Sequence, residues 1–354
     1  MVLFIYFLLI LFTLLGESTI KNTKNAIFFF TCVFLVFYAG GRDYLVWPDT
    51  IVYKSVFDFS IPTLNDYTFD YRPYAYSEKG FILLSVICKS IYNNSEFFFG
   101  VVCALTMLFL YRSTKDFRYA LPLVALYIYI CRFYTGRNMI QIRAGLAIAI
   151  MMCSLKYVYQ KKLIKYLIMV YIGTLFHRSM LIFLPFYLVN YIHLKKKHIY
   201  FILIGSFILG VFFTVFVHQR VEALFDSMGY SDKYTTSTDT NLIEGQGWSN
   251  PMIYFQTFIL LVFVLMEEKL KKLSKYYYLF RDGYLYSTST MIILCSYNVI
   301  CGRVSTPFAT LEIFIIPLIM QGFQTKSKWI PYFVTFVVMS VFFVRNYGKY
   351  IPTF

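Results

Sequence analysis

The sequence predicts an all-α fold: a polytopic bundle of transmembrane helices forming one membrane-embedded domain over residues 1–354. Three observations predict it. The chain is 59% hydrophobic and only 14% charged, with a mean hydropathy of +0.61, whereas a soluble domain carries roughly 25% charge. Apolar segments of helix-spanning size recur along the whole chain. The turns between them alternate between lysine-rich and lysine-poor, as membrane topology demands. The net charge of +15 is therefore read as a record of topology and not as a nucleic-acid surface.

In chain order, spans are expected at about 1–16, 26–40, 96–111, 119–134, 139–155, 163–176, 179–192, 199–217, 252–266, 284–300, 304–320 and 329–345. That is about twelve crossings, several of them shorter than the ~20 residues that cross a bilayer upright. Their ends are expected to run into the flanks. The first, MVLFIYFLLILFTLL, has no positive n-region and no small-residue cleavage site, so it reads as a retained helix and not a signal peptide. Outer loops are expected at 41–95 and 218–250. The seven cysteines lie in or beside apolar runs without metal-ligand spacing and read as small apolar membrane residues.

One segment decides the topology. GFILLSVICKSIY, residues 80–92, is short and contains Lys89. If it crossed, every later lysine-rich turn would fall outside. If it lies flat or half-inserted on the outer face, as an interfacial helix, then KNTK (21–24), RSTKDFR (112–118), KYVYQKKLIK (156–165), LKKK (194–197), EEKLKKLSK (267–275) and TKSK (325–328) all fall inside. The positive-inside rule selects the second arrangement.

This topology sorts the cations by type. The inner turns are almost all lysine, with Arg112, Arg118 and Arg281. The outer side gathers Arg42, Arg72, Arg132, Arg137, Arg143, Arg178, Arg220, Arg303 and Arg345, against Lys54, Lys79, Lys89, Lys233 and Lys349. The positive-inside rule treats the two alike, so it does not explain the split. Arginine's planar fork binds phosphate oxygens bidentately. Charge at membrane depth is costly and usually functional. The pattern points to an anionic, phosphate-bearing ligand at the outer half of the bilayer.

Five stretches carry candidate chemistry. In GGRDYLVWPDTIVYKSVF (40–57), Asp49, Tyr53 and Phe57 are four apart and share a helix face, with Pro48–Asp49 as its start. In YSEKGFILLS, Glu78 is a cavity-facing acid or a cap together with Ser77. In FYTGRNMIQIRAG, Arg137 and Gln141 share a face, and Arg143 lies deeper, where a bound anion or a buried acid must balance it. In LFHRSMLIFLP, His177 is a candidate proton acceptor, Arg178 is adjacent, and Ser179 is a candidate cap for the following span. In NVICGRVSTPFATLEIFIIP, Arg303 is an anion ligand and Glu312 a partner for a buried cation. Trp248 is a sugar-stacking candidate in the loop 218–250. No phosphate-binding Gly-rich loop, H-E-x-x-H or D-x-D pair is present, so no metal or cofactor is expected.

The order of these pieces resembles the integral-membrane polysaccharide polymerases of bacterial Wzy-dependent pathways, in particular the EpsG-like branch. The matching residues are Arg42 with D-x-x-x-Y-x-x-x-F at Asp49, Tyr53 and Phe57; E-x-G-F at Glu78–Phe81; Q-x-R at Gln141 and Arg143; F-H-x-S at Phe176–Ser179; and Arg303 leading to Pro317. The resemblance implies a fold similar to GT-C-like membrane glycosyltransferases. It also implies an inner-membrane enzyme whose site faces the periplasm or outer side. The implied substrates are oligosaccharide repeat units on undecaprenyl pyrophosphate. Arg143, Arg303, Arg137, Arg42 and Arg178 would then serve the pyrophosphate, Tyr53, Gln141 and Trp248 the sugar, and His177, Asp49 or Glu78 the proton transfer. A chain-length regulator and a flippase of the same pathway are the implied partners. Two other classes share part of the pattern: a lipid-linked oligosaccharide flippase, which needs no base, and a membrane-bound O-acyltransferase, which would place its histidine toward a cytosolic donor.

Overall fold

The computed structural model describes residues 21–117, 121–192, 194–217, 247–323, 329–348 and 350. The expected first span at 1–16, most of the loop 218–250 and the TKSK turn lie outside the described residues. Those described form helices and turns with no strand, in two compact units: residues up to Tyr187 with Phe323–Phe354, and Leu188–Gly322.

Among the described residues, five helices are long and apolar enough to cross a membrane: Thr23–Gly40, Ser95–Asp116, Ile142–Tyr159, Lys196–Phe216 and Trp329–Gly348. Two bent pairs raise the number to seven at most: Pro251–Leu265 with Glu267–Leu273, turned by 80°, and Ile300–Ala309 with Glu312–Gly322, turned by 43°. Five to seven of the expected spans are thus matched by length and composition among the described residues. The other apolar runs are short or irregular. Leu163–Phe176 has 14 residues. Pro122–Tyr129 widens into a π-helix over Ile130–Ile140. Arg178–Tyr191 winds as a tight 3₁₀ helix around Pro185, which has no backbone N–H to give an α-helical bond.

In the first unit we number the helices α1 (Lys21–Gly40), α2 (Thr50–Ser55), α3 (Lys79–Ile91), α4 (Ser95–Asp116), α5 (Pro122–Tyr129), α6 (Ile142–Tyr159) and α7 (Leu163–Phe176). Asn94 starts α4 by accepting hydrogen bonds from the backbone N–H groups of Glu96 and Phe97, at 2.7 and 3.0 Å. Helix α1 runs antiparallel to α4, α6 runs parallel to α4, and α7 returns antiparallel to α6. Phe28 meets Tyr111 at 4.9 Å between ring centroids, and Lys156 bonds Asp116 at 2.7 Å. The lysine-rich segments that open α1, close α4 and close α6 therefore gather at one end. At the opposite end, the ends of α1, α6 and α7 that carry Arg42, Arg143 and His177 meet residues 41–78. Beneath that end lies one apolar cluster that includes Tyr53, Phe57, Tyr76, Phe81, Phe98, Ile142 and Leu146.

Helix α3 does not leave this end. Its first turn abuts α7: a Cβ on Gly80 would sit 2.8 Å from the Leu175 side chain and 2.9 Å from its carbonyl oxygen. Its last turn returns to the loop. Lys89 donates to the carbonyls of Phe57 and Asp58 at 2.7 and 2.9 Å. With 13 residues, α3 is roughly 20 Å long at a 1.5 Å rise, short of the ~30 Å hydrocarbon core.

The second unit holds α8 (Lys196–Phe212), α9 (Pro251–Leu265), α10 (Glu267–Leu273), α11 (Tyr277–Ile293), α12 (Asn298–Ala309) and α13 (Glu312–Gly322). The buried Arg281 ties its lysine-rich turns together. Its guanidinium donates to the Leu194 carbonyl at 2.9 Å and to Asp282 at 2.7 Å, and forms an ion pair with Glu267 at 3.5 Å. The segments LKKK and EEKLKKLSK thus share one end of this unit. Helix α14 (Trp329–Gly348) belongs to the first unit and packs on the π-helix, where Asn346 donates to the Cys131 carbonyl at 2.9 Å.

Candidate active site

The site is built from the first turn of α6, the segment that leads into α3, the short helix α2 and the turn after α7. Arg143 is its centre. Nη1 donates to Glu78 Oε2 at 2.6 Å, and Nε donates to the Tyr53 hydroxyl at 3.2 Å. The guanidinium also lies 5.2 Å from the Tyr76 ring centroid and 5.7 Å from that of Tyr53. The balancing acid that the sequence demanded is therefore Glu78. Its backbone is the N-cap of α3, but its side chain makes no capping bond, so the capping role considered with Ser77 does not hold. The Ser77 hydroxyl instead accepts from Arg178 Nη2 at 2.9 Å. This fastens the turn after α7 to the residue before Glu78.

Arg143 keeps 22% of its side chain exposed while Glu78 keeps 9%. The pair is open on its cationic side. A guanidinium uses two donors here and has others left for an arriving anion. Tyr76 was not singled out from sequence; the only signal was its place two residues before Glu78.

Asp49 stands at the start of α2 in a left-handed conformation, φ 62°, which Asp tolerates better than most residues. The shared face with Tyr53 and Phe57 is present, and both aromatics are buried. The Asp49 side chain neither caps α2 nor has a hydrogen-bond partner among the described residues. Partial burial lifts its carboxyl above the usual range, against the opposing pull of Arg143. It is thus an exposed acid held in the field of the central arginine.

His177 is the C-cap of α7. Its Nδ1 lies 2.6 Å from the Ser179 hydroxyl and accepts the Ser179 backbone N–H at 3.4 Å. The hydroxyl therefore serves the imidazole and not the next helix, as first expected.

Three other expected residues of this unit, Arg42, Arg137 and Gln141, are held differently. Arg42 is 7% exposed and donates to the carbonyls of Ala39 and Met139 at 2.6 and 2.8 Å, over the Phe99 ring. Thr50 donates to the same Met139 carbonyl at 3.2 Å. Both residues clamp the end of the π-helix. Arg137 is buried over the Phe133 ring at 4.2 Å, whereas Gln141 is exposed. The shared face expected for these two fails because the helix winds with π geometry to Ile140 and breaks at Gln141 (φ −91°, ψ 60°) before α6 starts. The first turn of α6 approaches that break so closely that only Gly145 fits against the Arg137 carbonyl.

In the second unit, Arg303 is exposed on α12 and has no partner among the described residues. Glu312 is buried and accepts from the Tyr284 hydroxyl at 3.1 Å. Trp248 stacks on Phe207 with centroids 5.8 Å apart and covers Gly210, so one face of its ring is taken by α8.

Against known proteins, the model of the EpsG family matches residues 25–352. No curated protein and no solved structure matches the chain.

Proposed function

The chain belongs to the EpsG family of Wzy-like polysaccharide polymerases, and from that premise we propose its reaction: transfer of a growing glycan from undecaprenyl pyrophosphate to a sugar hydroxyl of a second lipid-linked repeat unit. The transfer takes place at the outer leaflet of the bacterial cytoplasmic membrane, on a GT-C-like bundle of about twelve crossings. A chain-length regulator and a flippase of the same pathway act beside it.

One observation carries the reading. The Arg143–Glu78–Tyr53 group stands at the end of its unit opposite the lysine-rich turns. By the positive-inside rule that end is the outer one. A guanidinium with spare donors there can meet a diphosphate bidentately. In the reaction the bond from the anomeric carbon to the phosphate oxygen breaks, and its electron pair leaves with the pyrophosphate. The acceptor oxygen bonds the anomeric carbon from the opposite side and inverts it. Arg143, with Arg178 at the neighbouring turn, stabilises the charge that develops on the leaving group. Such neutralisation makes the transfer metal-independent. The acceptor proton must go to a base. Glu78 is held by Arg143 and serves to aim it, which leaves Asp49 and His177 for the proton transfer.

The test is complementation of a deletion strain, scored by the surface-glycan ladder and by protein level. Arg143→Ala is expected to collapse the ladder to single repeats. Total absence of surface glycan would point to a failure of lipid-linked unit export and would overturn the polymerase reading.

A further inference from the structure

The turn after α7 fixes more than the position of His177. The Ser179 backbone N–H, 3.4 Å from Nδ1 of the ring, can only donate. Nδ1 must therefore present its lone pair there, and the Ser179 hydroxyl at 2.6 Å reinforces the same arrangement by donating its proton. A neutral imidazole has one ring proton; with Nδ1 accepting, that proton sits on Nε2. Nε2–H can give a hydrogen bond but cannot take a proton, and the only basic nitrogen is occupied by Ser179.

On this geometry, and resting on the polymerase reading above, we infer that Ser179 is a positioning residue that sets the His177 tautomer, and that His177 acts as a hydrogen-bond donor and not as the base. Its Nε2–H donates to an anionic oxygen of the lipid-linked diphosphate. The acceptor hydroxyl gives its proton to the Asp49 carboxylate. His177 keeps its proton throughout, the carbon–oxygen bond to phosphate breaks as the new glycosidic bond forms, and the pyrophosphate leaves with the electron pair. Asp49 suits the role because its carboxylate is exposed, does not cap α2 and has no hydrogen-bond partner among the described residues. Arg178, bonded to Ser77 at 2.9 Å, fastens the donor's turn to the segment that carries Glu78.

The first measurement reads the tautomer directly. The full-length protein in lipid nanodiscs, labelled with ¹⁵N-histidine, has only 4 histidines, and His177→Gln identifies the resonances of the one in question. The expected spectrum shows Nε2 protonated and Nδ1 unprotonated in neutral His177. Ser179→Ala should mix the two forms, and Ser179→Thr, which keeps the hydroxyl, should restore one. A protonated Nδ1 in the wild type overturns the inference. The second measurement uses polymer formation. The glutamine amide places an N–H near the position of Nε2 but cannot act as a base. His177→Gln should stay within about tenfold of wild type, while His177→Ala falls roughly 10²–10³-fold, as for loss of one preorganised donor. Equal loss in both variants, at normal protein levels, overturns the donor role. The tautomer reading does not require polymer, so a wild-type chain that shows the expected spectrum but forms no polymer would refute the polymerase reading alone.

Discussion

Arg143 satisfies two acceptors of different kinds, a carboxylate along one edge of its fork and a phenol at Nε. A lysine keeps the charge but cannot hold both in that geometry. Arg143→Lys is expected to lose about 1.5–3 kcal/mol of charge-assisted bonding, seen as a ladder shortened by roughly one to two orders of magnitude in polymer yield. Full-length polymer from this variant, at normal abundance, would refute the claim. Asp49 allows a test by pH. Its carboxyl titrates above the ordinary range because burial opposes its ionisation, and Arg143 only partly reverses this. The ionised form is the base, so the rate in purified enzyme should rise with pH through that elevated value and level off above it. Asp49→Asn should abolish the rise and lower the rate roughly 10²–10⁴-fold. At this scale the sequence was informative about need and silent about partner. A cation at the start of an apolar run requires a counter-charge on energetic grounds alone. That the counter-charge is Glu78 follows from the packing of α3 against α4 and α7, which no local pattern encodes. The roles of Ser77 and Ser179 were misread for the same reason: a hydroxyl beside a helix start looks like a cap until the competing side chain is located.

Helix α3 positions Glu78 and depends on contacts at both of its ends. At the first, Gly80 permits contact with Leu175 that any side chain would prevent. Gly80→Val should separate α3 from α7, loosen Arg178 from Ser77 and lower the midpoint of thermal unfolding in detergent by several degrees. An unchanged midpoint together with full polymer would show that the contact is dispensable. At the other end, Lys89 holds the carbonyls that close the segment after α2. Single cysteines at Lys79 and Ile91, in a background lacking the native cysteines, should both react with a membrane-impermeant thiol reagent from outside. Labelling of only one would mean that α3 crosses. The shortness of this segment and its lysine, on which the interfacial expectation rests, are both carried by the 13-residue α3. The π-helix before Gln141 was not legible in the sequence. Arg137 and Gln141 fit an α-helical pair by spacing, and only the extra residues per turn and the break after Ile140 separate them. The tight helix around Pro185 likewise shows how an apolar run can look like a regular span and wind differently.

For the whole molecule, the two lysine-rich ends make the sidedness testable. Reporters fused after Lys162, Lys197 and Lys275 should lie in the cytoplasm, and one after Tyr92 outside. A cytoplasmic Tyr92 would put the arginine centre on the wrong leaflet for the proposed transfer. The bundle class was evident from the long unbroken apolar runs, which satisfy their backbone within helices and lack the alternation of barrel strands. The number of crossings was not, since proline breaks and short helices blur the link between an apolar run and a span. The return of α3 to the loop it came from has a consequence for biogenesis. On the interfacial placement expected for it, α3 contributes no crossing, and the parity of the chain, odd or even, is set by a segment only 13 residues long. Were it to insert fully, every helix made after it would be threaded upside down, with its arginines toward the cytosol and its lysine turns translocated. A lysine at the centre of an inserting helix costs on the order of 2.5–3.5 kcal/mol, and Lys89, near the helix end, contributes a smaller share of that barrier. The remainder comes from each lysine turn synthesised later, so the orientation of the catalytic end is guarded repeatedly along the chain and not by one residue alone.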